Sequence, residues 1–427
     1  MSRAPRNPSG RNGYNNGTWL PDDRLEEVLH DFANRQISLS NRILYLQKEG
    51  MQIGLTTLKK LNRRFKVPTV RKPPPLPLAS AAVSELVAED TSAQNGPNTV
   101  RDQVRRKKKL LIPRDTVRRI MKANFPHGAE RRFPGKRKSR PRGRLILGDG
   151  VFQRIAIDGH EKTNDKALKM GGVSIDHYGM RCHSSGRIMK QVVVPNARCS
   201  STVGHVYLDF LEEYGMICET ISADGGNETG ELYACHRALR EKYTPTLDAR
   251  KYPEFVSLPS TKNIVIEGHW AHWLKFAGTN IRQSIQEGYE QGLFVVHNRI
   301  HFHTFHWIWS KVIQNEVDDF VMYWNDHKTR KQKVSNLPSG VSPNTVFDFP
   351  SLFGLKHCGT RVSKADIDTL RATLPRSRED CFRWVPDGFD KLANTVYDIL
   401  GSPKLNHTNG WRVFMQIDIA LRDVWVE

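Results

Sequence analysis

The sequence predicts an α/β domain with helices on its sheet, preceded by two helical modules. Three observations carry this. Up to about residue 126, apolar residues recur at a 3.6-residue spacing in short segments broken by Gly and Pro. From Val151 onward, short strand-like runs alternate with amphipathic helical ones. Between the two lies a stretch too basic and too rich in Pro and Gly to pack.

The chain has 427 residues, enough for two or three domains at roughly 150 residues each. Hydrophobic residues make up 38%, which supports a real core in part of the chain. The net charge is +20, and residues 101–150 alone hold 18 Lys/Arg against 4 Asp/Glu. That balance predicts a polyanionic partner, nucleic acid before membrane. With no run of 18 apolar residues, nothing is expected to span a membrane. None of the six cysteines forms a C-x-x-C pair, so free thiols in a reducing compartment are expected. Residues 1–20 lack the apolar stretch of a secretory signal and read as a disordered tail.

Residues 21–68 read as a helix-turn-helix module. "RLEEVLHDFANRQ" places Leu25, Val28, Leu29 and Phe32 on one helical face. Ser40 is positioned to cap the next helix, and Gly50 to stop it. In "LTTLKKLNRRFK", Leu55, Leu58, Leu61 and Phe65 form an apolar face; Lys59, Lys60 and Arg63 lie outward as DNA contacts, unless this is a plain hairpin with a solvated basic face.

Residues 69–80 are a proline-rich, semi-rigid linker. A second helical DNA-binding module is expected over 81–126, with "PNTVRDQVRRKKK" and "PRDTVRRIMKANF" as two of its helices. In it Val117, Ile120 and Met121 face inward, and Arg105, Arg106, Lys107, Arg118 and Arg119 are candidate phosphate contacts. Residues 127–150 form a basic linker in which Lys136, Arg137 and Lys138 track phosphates, although a solvated charge run reads the same way. The clusters "RRKKK" and "GKRKSRPRGR" also fit nuclear import signals, so the nucleus is the expected location.

Residues 151–350 read as the α/β core. "VFQRIAID", "RIMKQVVV" and "CETISAD" are strand-like, and "STVGHVYLDFLEEYG" is an amphipathic helix ended by Gly215. "ELYACHRALREKY", "EFVSLPS" and "NIVIEGHWAHWLKF" continue the alternation. Residues 351–427 read as a helical or mixed tail.

Two strand-like runs end in Asp followed by Gly, at Asp158 and Asp224, 66 positions apart. Glu267 follows 43 positions later, one turn into a predicted helix. A lone Asp-Gly after a strand is ordinarily a turn. Carboxylates at the ends of neighbouring strands, joined by one on a helix, instead suit a pair of hard divalent ions.

"IAIDGHEK", "ISADGGNETG" and "STKNIVIEGHW" resemble the three acidic motifs of the integrase catalytic core, most nearly those of eukaryotic proteins of transposon origin. "SGVSPNTVF" is similar to the segment that closes that core. The resemblance implies a ribonuclease H-like mixed sheet core flanked by helices. It also implies catalytic and metal-binding roles for Asp158, Asp224 and Glu267 with Mg2+ or Mn2+, and attack on a phosphodiester by water or a DNA 3′-hydroxyl. Double-stranded DNA is the implied partner, engaged by a homo-oligomer. Asn263 stands at the family's Asn, expected to hold the helix start or a DNA end, and Lys275 is a further candidate DNA contact. Glu228 is expected to support the ligands rather than be one.

The chain departs from the pattern at Val265, where the family has Arg, and at Gly268, where a basic residue is common. An inactive DNA-binding regulator and a nuclease acting on RNA–DNA hybrid therefore remain alternatives. His297 and His301, four apart, would face one zinc ion if both lay on a helix; aromatic-rich core packing is the alternative for this segment.

Overall fold

The computed structural model describes residues 18–128, 132, 148–160, 175–224, 226–258, 263–331, 337–422 and 424–425. They form two compact units: Met1–Ala88 with Asn95–Lys136, and Glu89–Gln94 with Arg137–Glu427.

The first unit is helical and has two small cores. Helices α1 (Asp22–Asn34), α2 (Leu39–Lys48) and α3 (Leu55–Arg64) bury Leu25, Leu29, Phe32, Leu46, Leu58 and Leu61. The cap of α2 is Ser38 rather than Ser40: its Oγ accepts from the Asn41 N–H at 3.3 Å. Leu55 opens α3 but stays exposed, leaving Leu58, Leu61 and Phe65 as its buried stripe. Helices α4 (Leu76–Glu89), α5 (Pro97–Lys108) and α6 (Arg114–Asn124) build the second core from Val83, Leu86, Val100, Val104, Val117, Ile120 and Met121. Helix α4 starts inside the stretch read as linker, because a proline such as Pro77 is tolerated in a first turn.

The second unit is α/β: a mixed, open sheet flanked by helices. Its strands are β1 (Arg154–His160), β2 (Asp176–Cys182), β3 (Ile188–Val194), β4 (Thr220–Ala223) and β5 (Phe255–Ser257). They lie in the order β3-β2-β1-β4-β5. The β1–β2 and β2–β3 pairs are antiparallel, while β1–β4 and β4–β5 are parallel.

Strand alternation divides the core in two. Ile155, Ile157, Tyr178 and Met180 face α7 (Ser200–Tyr214) and α8 (Gly230–Tyr243), where Val203, Val206, Tyr207, Phe210 and Leu211 are buried. Ala156 faces the other way, towards α9 (Ile264–Trp273). A π-turn (Leu274–Gly278) carries α9 into α10 (Thr279–Glu290), and the long α11 (Arg299–Asp326) packs on the same side. Trp307, Trp309 and Trp324 of α11 are buried there as part of the core.

The closing segment forms α12 (Pro343–Asp348), capped by Ser342. The described residues of 351–427 are folded into both cores. Ile367 and Leu374, at α13 (Lys364–Thr373), join the α7 side. After the short α14 (Arg378–Phe382), α15 (Asp387–Ile399) and α16 (Gly410–Leu421) supply Phe389, Ala393, Phe414 and Ile417 to the α11 side. Trp307 Nε1 donates to Asp390 Oδ1 at 2.8 Å while the Lys311 ammonium sits 3.6 Å from the Trp307 ring centroid, which ties α11 to α15.

Candidate active site at the ends of two parallel strands

Asp158 lies near the end of β1 and Asp224 directly follows β4. These strands pair Arg154 with Thr220, Ile155 with Ile221 and Ala156 with Ser222. The same step carried on to Asp158 reaches Asp224. Neighbouring strands run about 4.8 Å apart, so this register directs the chain at Asp158 and at Asp224 towards the same end of the sheet. Glu228, in the short helical turn Asn227–Thr229, folds its carboxylate back over Gly226, where an added Cβ would lie 2.1 Å from its oxygens and push them aside. The buried Tyr178 phenol registers all three. Burial pushes its pKa well up, and the charges of Glu228, Asp158 and Asp224 push it further.

Helix α9 covers this edge. Trp270 Nε1 donates to Asp158 Oδ2 at 2.9 Å. Gly179 is the cross-strand partner of Asp158, and a Cβ there would lie 2.7 Å from Trp270 Cη2; the glycine makes room for the indole. His160 stacks on the same indole, centroids 4.5 Å apart and planes 7° from parallel. Asn263, 3% exposed, donates from Nδ2 to the Ile157 carbonyl at 3.3 Å. It therefore holds the helix start against β1, and its burial removes it from the candidate DNA contacts. Sequence reading had not given Trp270 a role; the available signal was its place three residues after Glu267, on the same helical face.

Glu267 sits in the first turn of α9 with an exposed side chain, one turn before Trp270. Among the described residues, no group of three or more His, Cys, Asp or Glu side chains is gathered closely enough to hold a metal ion. The donor chemistry of Asp158 and Asp224 fits hard divalent cations. The zinc alternative finds no support in the helix geometry. His297 precedes the cap residue Asn298 and lies off the helix, and His301 Nε2 is 3.2 Å from Asp418 Oδ1.

Of the candidate DNA contacts, Lys59, Lys60 and Arg63 are exposed on α3, Arg118 and Arg119 on α6, and Lys107 and Lys275 are exposed too. Arg106 is half-buried. Arg105 is a correction: it is 1% exposed, packed in the second helical core with Nη2 3.9 Å from Asp102 Oδ1. It follows Val104 into the interior and cannot reach a phosphate. Lys136, Arg137 and Lys138 lie outside the described residues. Among the described residues no helix is long and apolar enough to cross a membrane. Compared with protein-family models and with curated proteins, the chain matches none.

Proposed function

We propose that this chain is an integrase- or transposase-like DNA polynucleotidyl transferase with a ribonuclease H-like core, working with two Mg2+ or Mn2+ ions. One observation carries the reading: the parallel pairing of β1 with β4, whose step, carried on, would set Asp158 level with Asp224. The sheet order supports the finer fold assignment, with three antiparallel strands continued by two parallel ones and a helix crossing the face that bears Asp158. Asp158 and Asp224 would hold the ions, with Glu267 as the third ligand. Bound ions of this kind stabilise charge on the attacking and leaving oxygens of a phosphodiester. The chain's own part is to orient Asp158 through Trp270 and to hold the duplex. Lys59, Lys60, Arg63, Lys107, Arg118, Arg119 and Lys275 supply phosphate contacts, for a homo-oligomer acting on double-stranded DNA in the nucleus.

That no group of three or more His, Cys, Asp or Glu side chains among the described residues is gathered to hold a metal ion favours a second reading, a DNA-binding regulator without catalysis. Asp224→Asn separates the two when assayed beside the wild type for oligonucleotide cleavage with Mg2+ or Mn2+ and for gel-shift binding. The enzyme reading expects cleavage to collapse and binding to persist. Equal cleavage by both proteins refutes the metal role of Asp224. Binding by a wild type that cuts neither duplex ends nor RNA–DNA hybrid establishes the regulator, and preferential cutting of hybrid identifies a ribonuclease H-type nuclease.

A further inference from the structure

Arg181 pairs directly with Ala156 across the antiparallel β1–β2 ladder, two positions from the pair of Asp158 with Gly179. Successive side chains alternate between faces, so Arg181, Ala156 and Asp158 share one face of the sheet, the face that α9 covers. The β2–β3 register shifts between Met180 and Arg181, an irregularity of the kind that re-aims a side chain. Here Arg181 reaches the start of α9. Its Nη1 donates to the Val265 carbonyl at 2.7 Å and its Nε to the Gly186 carbonyl at 3.0 Å. Trp324 of α11 completes the seat: its Nε1 donates to the same Gly186 carbonyl at 2.8 Å, and the guanidinium carbon lies 4.8 Å from the Trp324 ring centroid.

Val265 and Glu267 lie in the first turn of α9. A second tie reaches that turn from β1. Asn263 Nδ2 donates to the Ile157 carbonyl, next to Asp158, at 3.3 Å, and the Asn263 carbonyl accepts the Glu267 N–H at 3.2 Å. A helix end held at one point can pivot about it. Held also at Val265, from the neighbouring strand β2, it cannot. The two ties together set the direction in which the turn presents Glu267 relative to β1. A rigid planar guanidinium suits this task, because its two bonds leave in fixed directions towards two different carbonyls.

We propose that Arg181 is a positioning residue for Glu267, fixing the first turn of α9 against the strand that carries Asp158. The proposal rests on the reading of Asp158, Asp224 and Glu267 as ligands of divalent ions. Arg181 acts through the Val265 backbone and needs no contact with an ion. A residue that only packs contributes to stability alone, whereas this one also sets the affinity for the metal.

The test uses the full chain and Mn2+ as the probe. Arg181→Met keeps an apolar stem and removes the donors; Arg181→Lys keeps the charge and loses the planar fork, and it serves if Arg181→Met does not fold. Mn2+ affinity, read from the electron paramagnetic resonance signal of the free ion, is expected to weaken about tenfold in either variant, within the range for losing a partner that orients a metal ligand. The peptide covering the first turn of α9 is expected to exchange its amide hydrogens faster. Phe389→Leu, a core change in α15, is expected to lower the melting temperature while Mn2+ affinity and α9 exchange stay as in the wild type. Unchanged Mn2+ affinity in a folded Arg181 variant, where Asp158→Asn abolishes binding, overturns the proposal and leaves the metal reading standing. Weakening no greater than in Phe389→Leu at a matched loss of melting temperature reduces Arg181 to packing and overturns it too. A wild type that binds no Mn2+ ends both readings.

Discussion

The Trp270 indole N–H donates to Asp158 Oδ2 at 2.9 Å across the gap that Gly179 leaves open. A carboxylate at a strand end keeps its own rotamer freedom; this bond fixes it from the helix that packs on the same face of the sheet. Trp270 is 2% exposed and is itself pinned by stacking on His160.

Trp270→Phe keeps an aromatic ring over Gly179 and removes the donor. Cleavage is expected to fall by roughly 10–100-fold, the range for losing a partner that orients a metal ligand. The concentration of Mg2+ needed for half-maximal cleavage rises as well, which a purely packing role would not produce. Unchanged metal dependence in a folded Trp270→Phe protein refutes the orienting role.

The basic helices carry a salt-dependent prediction. Each phosphate contact adds about 0.9 to the slope of log K against log salt for duplex DNA. Removing the charges of Lys59, Lys60 and Arg63 together is expected to flatten that slope by roughly 2–3, measured by fluorescence anisotropy with random duplex. Arg105→Ala behaves differently. Asp102 keeps its ion pair with Arg101 at 2.9 Å, but the 1% exposed Arg105 side chain fills the second helical core, so its removal leaves a cavity and lowers the melting temperature without changing the slope. A slope change in Arg105→Ala at unaltered stability would return that residue to the DNA interface.

Acid lability follows from two buried histidines. Burial, reinforced by His160, holds the His177 pKa at about 3, and burial with the Arg240 charge does the same to His236. In the unfolded chain both titrate near the ordinary value of about 6.5. Below that pH the unfolded state takes up protons that the folded state refuses. Stability is therefore complete above about pH 6.5 and falls as pH drops towards 3, by about 1.4 kcal/mol per pH unit for each histidine. Urea denaturation between pH 7 and pH 5 measures this dependence, and replacing His236 by Phe is expected to remove one histidine's share. The same slope in both proteins refutes the assignment.

What the sequence determined by itself is local. A 3.6-residue apolar period repeats within every turn, so α1, α3, α6 and α7 are legible from their own residues, as are the strand-like runs that end in Asp158 and Asp224. The inward stripe Val117, Ile120 and Met121 needed no partner to be seen. The spacing of the three acidic residues was equally open to reading, but the pairing of the strands that lead to two of them was not. Only the tertiary structure decided that β1 and β4 are parallel neighbours, because that pairing joins segments 66 residues apart through backbone hydrogen bonds available to any side chain. It likewise decided that Arg105 turns inward and that the described residues of 351–427 complete both cores. A charged side chain reads as surface in one dimension. Whether it finds a buried partner depends on which helix packs over it, and that is settled by long-range contacts rather than by any single segment.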